Sequence, residues 1–171
     1  SSTDGSGQAT FNYSRALPGL DTIKATSSIS GVTTICTATK EWLTAACDLT
    51  PPVEINPVGA TRSVTSTVSK NGVAVGAGVP VTFQILAGGP NSALPPVIIN
   101  TNVSGQATFT YTSNGTPGTD TTQSSGTVQG VAFTCTATKT WNAAQCSFLT
   151  PPAETLPVGA HATLTTLVAL T

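Results

Sequence analysis

The chain has 171 residues, and only 8% of them are charged, with 6 basic and 7 acidic side chains that nearly cancel. An ordinary folded domain carries about 25% charged residues, whereas this chain holds 33 Thr and 16 Ser residues. The charges are scattered singly, which excludes a basic surface for nucleic acid. No run of apolar residues is long enough to insert into a membrane.

Apolar and hydroxyl-bearing side chains alternate in short stretches between Thr50 and Leu149, as in strands that bury one face. In chain order we predict an edge strand at Val53–Val58, a strand at Thr61–Lys70 with Arg62, Val64, Ser66 and Val68 on one face, a turn at Asn71–Gly72, strands at Val79–Ile85, Val97–Asn102 and Gln106–Thr112, a corner at Pro117–Asp120, and a strand at Val131–Lys139. These six strands in about 100 residues come close to the seven that are typical of an immunoglobulin-like antiparallel β-sandwich. The predicted fold is therefore all-β, with almost no helix.

The same text occurs twice along the chain. GQATF at Gly7–Phe11 returns at Gly105–Phe109, an offset of 98 residues (7 to 105), and CTATK at Cys36–Lys40 returns at Cys135–Lys139, an offset of 99 (36 to 135). An offset of this size corresponds to one small domain, so we predict a tandem array. Repetition at this scale favours a fibre, a stalk or a surface scaffold over an enzyme.

Five pieces of the chain, taken together, resemble a known family. They are PVGA at Pro57–Ala60, VPVTFQI at Val79–Ile85, SGQATFTYT at Ser104–Thr112, PGTDT at Pro117–Thr121 and TATKTW at Thr136–Trp141. In this order they resemble the bacterial immunoglobulin-like domains found in tandem on invasin- and intimin-type adhesins and on large secreted repeat proteins. The resemblance implies an extracellular spacer or adhesin module without a cofactor. It names no ligand.

The repeat register divides the chain into three parts. Residues 1–49 form the rear half of a repeat, residues 50–149 a complete repeat, and residues 150–171 the first strands of a further one. The two incomplete parts together lack a counterpart of Asn71–Ile98, so we favour an excerpt of a longer array. The alternative is a protomer whose ends complete one another, with neighbouring repeats or protomers as end-to-end partners.

Four cysteines occur at repeat-related positions. Cys36 and Cys47 are eleven residues apart, as are Cys135 and Cys146, and this recurrence favours two local disulfides among the three possible connectivities. Each bridge would close a loop of about a dozen residues, worth roughly 2–3 kcal/mol on the chain-entropy model. Disulfides indicate an oxidising compartment and hence secretion. Reduced buried thiols and a zinc site are the competing interpretations.

Other candidate sites have less support. His161 is the single histidine and no acid–base pair recurs, so we expect no catalytic residue. Possible N-glycosylation sites are Asn12, Asn102 and Asn114, each in an Asn-x-Ser/Thr sequon. Three carboxylates at the first junction, Glu41, Asp48 and Glu54, suggest calcium, but only Glu54 has an acidic counterpart, Glu154. We expect Lys40 and Lys139 to be solvated strand-end residues, with isopeptide bonds as the rarer alternative.

These observations predict a non-catalytic structural or spacer repeat of an extracellular stalk or filament, located at the cell surface or secreted. One alternative is an adhesin module that binds a host, matrix or glycan ligand through loops or an exposed edge. A second alternative is a self-polymerising filament subunit joined by strand complementation.

Overall fold

The computed structural model describes residues 2–149 and 155–170, and the regular structure of these residues is entirely β-strand. The strands are β1 (Gly19–Ile29), β2 (Val32–Trp42), β3 (Ala45–Thr50), β4 (Val53–Pro57), β5 (Thr61–Lys70), β6 (Val73–Ala74), β7 (Pro80–Ile85), β8 (Val97–Asn100), β9 (Gln106–Thr112), β10 (Gly118–Val128), β11 (Val131–Asn142), β12 (Ala144–Phe148) and β13 (Thr166–Leu170). The all-β class predicted from the composition is confirmed. Within the described ranges, no helix is long and apolar enough to cross a membrane.

Two sheets enclose the hydrophobic core. The first has the order β4-β11-β10-β7-β8, and the second is built on β5, which pairs with β3 on one side and with β6 and β9 on the other. Alternate residues of these strands point into the space between the sheets, where Val64, Phe83 and Trp141 are fully buried. The predicted inner face of β5 is confirmed, because its buried residues are Arg62, Val64, Ser66 and Val68.

Most predicted elements between Thr61 and Lys139 are present. The turn at Asn71–Gly72 joins β5 to β6, and both of its residues have positive φ angles (53° and 79°), which Asn and Gly accept most readily. The predicted corner at Pro117–Asp120 is shorter than expected, because β10 already begins at Gly118. Strand β10 was not predicted from the sequence, because most of its inward-facing residues are polar.

The first sheet is not antiparallel throughout, which corrects the predicted topology. The edge strand β4 is present as expected, but it pairs in parallel with β11. The chain crosses from the second sheet to the first between β3 and β4, at Pro51 and Pro52. Proline has no N–H to donate to a ladder, so these residues end β3. After the crossing, the chain runs in the same direction as β11.

The remaining strands form two separate hairpins. In the β1–β2 hairpin Gly19 pairs with Trp42, and in β10–β11 Gly118 pairs with Trp141, so the two registers match at an offset of 99 residues. In the β12–β13 hairpin Cys146 pairs with Val168, as Cys47 of β3 pairs with Val68 of β5. Both hairpins are largely exposed.

Candidate functional site

A disulfide between Cys47 and Cys135 joins the two sheets across the core, with a Cα–Cα distance of 5.8 Å. It connects β3 of the second sheet to β11 of the first. The predicted local pairs, Cys36 with Cys47 and Cys135 with Cys146, are therefore wrong. Cys36 and Cys146 are exposed free thiols in β2 and β12.

No strand was predicted from the sequence at Ala45–Thr50. This segment is β3, which pairs with β5 along its whole length and buries Leu49 in the core. Cys47 and Leu49 share the inner face, as the alternation of inward Ala45, Cys47 and Leu49 with Ala46, Asp48 and Thr50 would have indicated. The observed bridge spans 88 residues. It is worth about 4–5 kcal/mol on the chain-entropy model, roughly twice a local bridge.

Asp120 is fully buried at one end of the core and binds three neighbours. It accepts hydrogen bonds from the backbone N–H of Asn91 (3.0 Å) and from the Asn91 side-chain amide (2.7 Å). It also accepts from the hydroxyl of Tyr111 (3.2 Å) and the indole N–H of Trp141 (2.7 Å). Its four donors stabilise the buried negative charge.

Aromatic rings continue from Asp120 through the core. Phe83 stacks on Phe109 with ring centroids 5.5 Å apart, Phe109 stacks on Tyr111 at 5.4 Å, and Tyr111 meets Trp141 edge to face at 5.9 Å. Burial raises the pKa of the Tyr111 hydroxyl above its usual value, and the charge of Asp120 raises it further. The tyrosine therefore stays protonated and remains a donor to Asp120.

A second polar cluster contains Glu54, Arg62 and Lys139. The Lys139 ammonium is 3.1 Å from a Glu54 carboxylate oxygen and 4.8 Å from the centroid of the Trp141 ring. Arg62 lies 3.9 Å from the same carboxylate oxygen, and both cations are fully buried. Burial lowers the pKa of Lys139; Glu54 opposes this effect, and Arg62 adds to it. One carboxylate thus faces two buried cations.

Lys139 is not the solvated strand-end residue that the sequence predicted, because the second sheet covers it. Lys40, its counterpart in β2, is exposed as expected and lies 5.7 Å from the Trp42 ring. The same Lys-x-Trp sequence is therefore buried in one place and open in the other. The difference comes from the strands that pack above it.

The three predicted glycosylation residues are exposed. The Asn102 side-chain oxygen accepts from two backbone N–H groups of its own turn, at 2.9 and 3.0 Å. The Asn114 amide donates to the Pro90 carbonyl at 2.6 Å, so its nitrogen already has a partner. Asn12 lies on an open stretch before β1. Glycosylation of these residues stays a prediction.

The candidate calcium ligands do not converge. Glu41 pairs with Lys70 at 2.7 Å, and Glu54 belongs to the buried cluster. Glu154 lies outside the described residues. Among those residues, no three His, Cys, Asp or Glu side chains are close enough to hold a metal ion. His161 is exposed on a segment before β13.

The largest described pocket, of about 450 Å³, is open and lies beside the β5–β6 turn. Among the described residues that line it, Lys70 carries the only charged side chain, and its ammonium already donates to Gln129 at 2.7 Å. No family model matches the chain, and no curated protein is significantly similar to it.

Proposed function

We propose that the chain consists of tandem immunoglobulin-like β-sandwich repeats, related to those of invasin- and intimin-type surface proteins, and that they serve as an extracellular, non-catalytic spacer. The observation that carries this proposal is the matching of hairpin registers. Strands β1 and β2 pair as β10 and β11 do, and β12 and β13 pair as β3 and β5 do. Since β3 contributes to the core, the proposed unit begins at Ala45.

The side chains that recur also support a scaffold. Phe11, Tyr13 and Trp42 repeat the ring contacts of Phe109, Tyr111 and Trp141. Asp21 accepts from the Trp42 indole N–H at 2.9 Å, as Asp120 accepts from Trp141. These recurring groups hold strands together. A spacer needs the same support in every unit, whereas an enzyme needs one reactive site.

The disulfide and the surface chemistry support an extracellular location. Disulfides form and persist in oxidising compartments. The outer face that β5 and β9 share carries paired hydroxyls in place of charges, at Thr61 with Thr112, Ser63 with Thr110 and Thr65 with Thr108. Such a surface interacts weakly with charged partners, as suits a spacer.

Small-angle scattering on recombinant chains with one, two and three copies of residues 45–143 tests the spacer function. The longest strands have 11 or 12 residues, so each added copy should lengthen the particle by roughly 40 Å. A maximum dimension that stops growing with copy number would contradict the proposal.

The adhesin alternative is favoured by one feature, the edge strand β8. Val97 and Ile98 are 39% and 68% exposed on this strand, and an unpaired edge can accept a strand from a ligand. Saturable binding of the chain to an immobilised glycan or matrix protein, lost in Ile98→Lys but kept in Val103→Lys, would support the adhesin over the spacer. Val103 is the matched control because it is 85% exposed and lies outside β8.

A further inference from the structure

The two free cysteines occupy the positions that correspond, in neighbouring repeats, to the two cysteines of the observed disulfide. Cys36 corresponds to Cys135 (36 + 99 = 135), and Cys146 corresponds to Cys47 (47 + 99 = 146). Cys47 and Cys135 are bonded, whereas Cys36 and Cys146 are exposed. The chain therefore carries one half of this bridge at each of two further places.

The hairpins around the free thiols reproduce the strand pairs around the bridge. Cys36 pairs with Ala25 in β1, as Cys135 pairs with Ser124 in β10. Cys146 pairs with Val168, as Cys47 pairs with Val68. By the alternation of strand residues, each free thiol belongs to the face that is turned inward in the complete sandwich.

These two faces are uncovered. Val168 is 69% exposed where Val68 is fully buried, and Ile29 of β1 is 72% exposed where Val128 of β10 is 6% exposed. In the complete sandwich, the strand pairs that correspond to the hairpins pack directly on each other. Besides the disulfide, the Ser66 hydroxyl of β5 lies 2.8 Å from the Ser124 hydroxyl of β10. In the complete sandwich, the surface that covers the counterpart of one hairpin is therefore equivalent to the surface that the other hairpin exposes.

We propose that Cys36 of one copy of this chain forms a disulfide with Cys146 of a second copy, with the β12–β13 hairpin of the second copy packed on the β1–β2 hairpin of the first. This inference names the partner of the proposed repeats and rests on their tandem organisation. Each copy offers one thiol of each kind, so the contact is heterologous and propagates head to tail.

The bond requires an oxidant, for which a small-molecule disulfide such as oxidised glutathione serves. The Cys36 thiolate attacks this disulfide and forms a mixed disulfide, releasing one glutathione thiolate. The Cys146 thiolate then attacks the Cys36 sulfur and releases the second glutathione thiolate. Two thiols are oxidised, one disulfide is reduced, and the two protons pass to the two glutathione thiolates.

The bond itself holds the contact together. The joined segments contain counterparts of β3, β5, β9, β10 and β11 but none of β7, which pairs with β10 in the first sheet. Packing without that strand buries less apolar surface than the complete sandwich. We expect the chain to be monomeric in a reducing agent and to form a ladder at multiples of 17.1 kDa with oxidised glutathione.

Two single variants test the pairing. Cys36→Ser keeps only Cys146 free, and Cys146→Ser keeps only Cys36 free, so an equimolar mixture contains one thiol of each kind. Random collision would give twice as much mixed dimer as either homodimer. We expect the mixed dimer to exceed each homodimer about twentyfold, which is ten times the random ratio and corresponds to 1.4 kcal/mol of selectivity. Mass spectrometry of non-reduced peptides should show Cys36 joined to Cys146.

A matched pair of variants tests the packing. Val168→Asp places a charge on the face of Cys146, and Ala169→Asp places the same charge on the opposite face of β13. The first should lower the ratio of mixed dimer to homodimer about tenfold, to the level of random pairing, and the second should leave this ratio unchanged. Neither change touches the sandwich that contains Cys47–Cys135.

Random product ratios in the mixture, or equal effects of the two Asp variants, would overturn the proposal. The spacer function would survive either result, because its own test measures the length of covalent arrays. Arrays that fail to lengthen, together with selective Cys36–Cys146 pairing, would instead favour a different role for the joined chains.

Discussion

Asp120 and Lys139 are both fully buried and both contact Trp141, yet they differ in how their charge is balanced. Asp120 accepts four hydrogen bonds, so four donors compensate for the burial of its carboxylate. Lys139 shares one carboxylate with Arg62. A buried charge is costly unless it is paired and hydrogen-bonded. The hydrogen-bonded aspartate therefore stabilises the fold, whereas burial lowers the pKa of Lys139.

Replacing Asp120 with alanine should lower the free energy of unfolding by about 3–5 kcal/mol, because four buried donors lose their acceptor. Urea denaturation, monitored by Trp141 fluorescence in a Trp42→Phe background, measures this change. Asp21→Ala is the matched control: it removes the corresponding aspartate from the open hairpin, where the side chain is 28% exposed. The control should leave the Trp141 transition in place. Equal losses in both variants would show that burial of Asp120 is not the cause.

Because of Lys139, the free energy of unfolding should increase with pH in the alkaline range. Burial lowers its pKa in the folded state below the value of 10.5 that the unfolded chain retains. Between those two pKa values the unfolded state binds more protons, so the free energy of unfolding increases with pH, by at most about 1.4 kcal/mol per unit. Comparison of the wild type with Lys139→Met in urea, up to pH 10, isolates this contribution.

Tyr111, whose raised pKa acts in the opposite direction as unfolded tyrosine ionises around its usual pKa of 10.0, is present in both proteins, so its effect cancels in the comparison. Lys40→Met provides the control on the exposed counterpart, and its stability should follow that of the wild type. A difference between the wild type and Lys139→Met that is flat from pH 8 to 10 would contradict the account.

At the scale of strands, β3 decides the covalent organisation. It is a short strand of six residues, yet it carries Cys47 and Leu49 into the core and pairs with β5 along its whole length. The disulfide therefore lies within one sandwich and connects its two layers. A bridge at this place restricts how far the sheets can separate, whereas a local bridge would only have stiffened a linker.

The Cys47→Ala/Cys135→Ala double variant should lose stability by about 4–5 kcal/mol, because 88 residues of chain are no longer closed into a loop. Urea denaturation of the two proteins without reductant measures the loss. Cys36→Ser/Cys146→Ser is the matched control, since it removes two thiols that lie outside the bridge. A comparable loss in the control would contradict the assignment of the stabilising bridge.

Sequence reasoning predicted β9 and missed β10, because the inner residues of β9 are apolar whereas most of those of β10 are polar. Strand β9 was recognised from Ala107, Phe109 and Tyr111, whereas β10 turns Thr122 and Ser124 inward. The burial of polar residues depends on partners that lie far away in sequence, as Ser124 has in Ser66. Periodicity along the chain carries no information about such partners. For the same reason, the local spacing of cysteines predicted the wrong pairing.

At the scale of the whole molecule, polarity comes from hydroxyls and not from charge. Three hydroxyl pairs line the outer face of β5 and β9, at 2.9 to 3.2 Å, and each forms a hydrogen bond between the two strands. Described ion pairs are few, and the best buried of them involves Lys139. Hydrogen bonds between uncharged hydroxyls, unlike exposed ion pairs, are screened little by salt.

The position of the disulfide determines how the sandwich carries tension. A pull that enters at Ala45 and leaves at Asn142 reaches the bridge after two residues on one side and seven on the other, so the force passes from β3 to β11 through the sulfur atoms. The chain between Cys47 and Cys135 bears no load. Its extended length is roughly 300 Å, and this length stays hidden while the bond is intact. In a single-molecule pulling experiment on tandem copies, unfolding should release only a few residues per unit, and the full length should appear after reduction. Long releases before reduction would contradict this load path. An array of such units would be nearly inextensible, and thiol chemistry would decide when it lengthens.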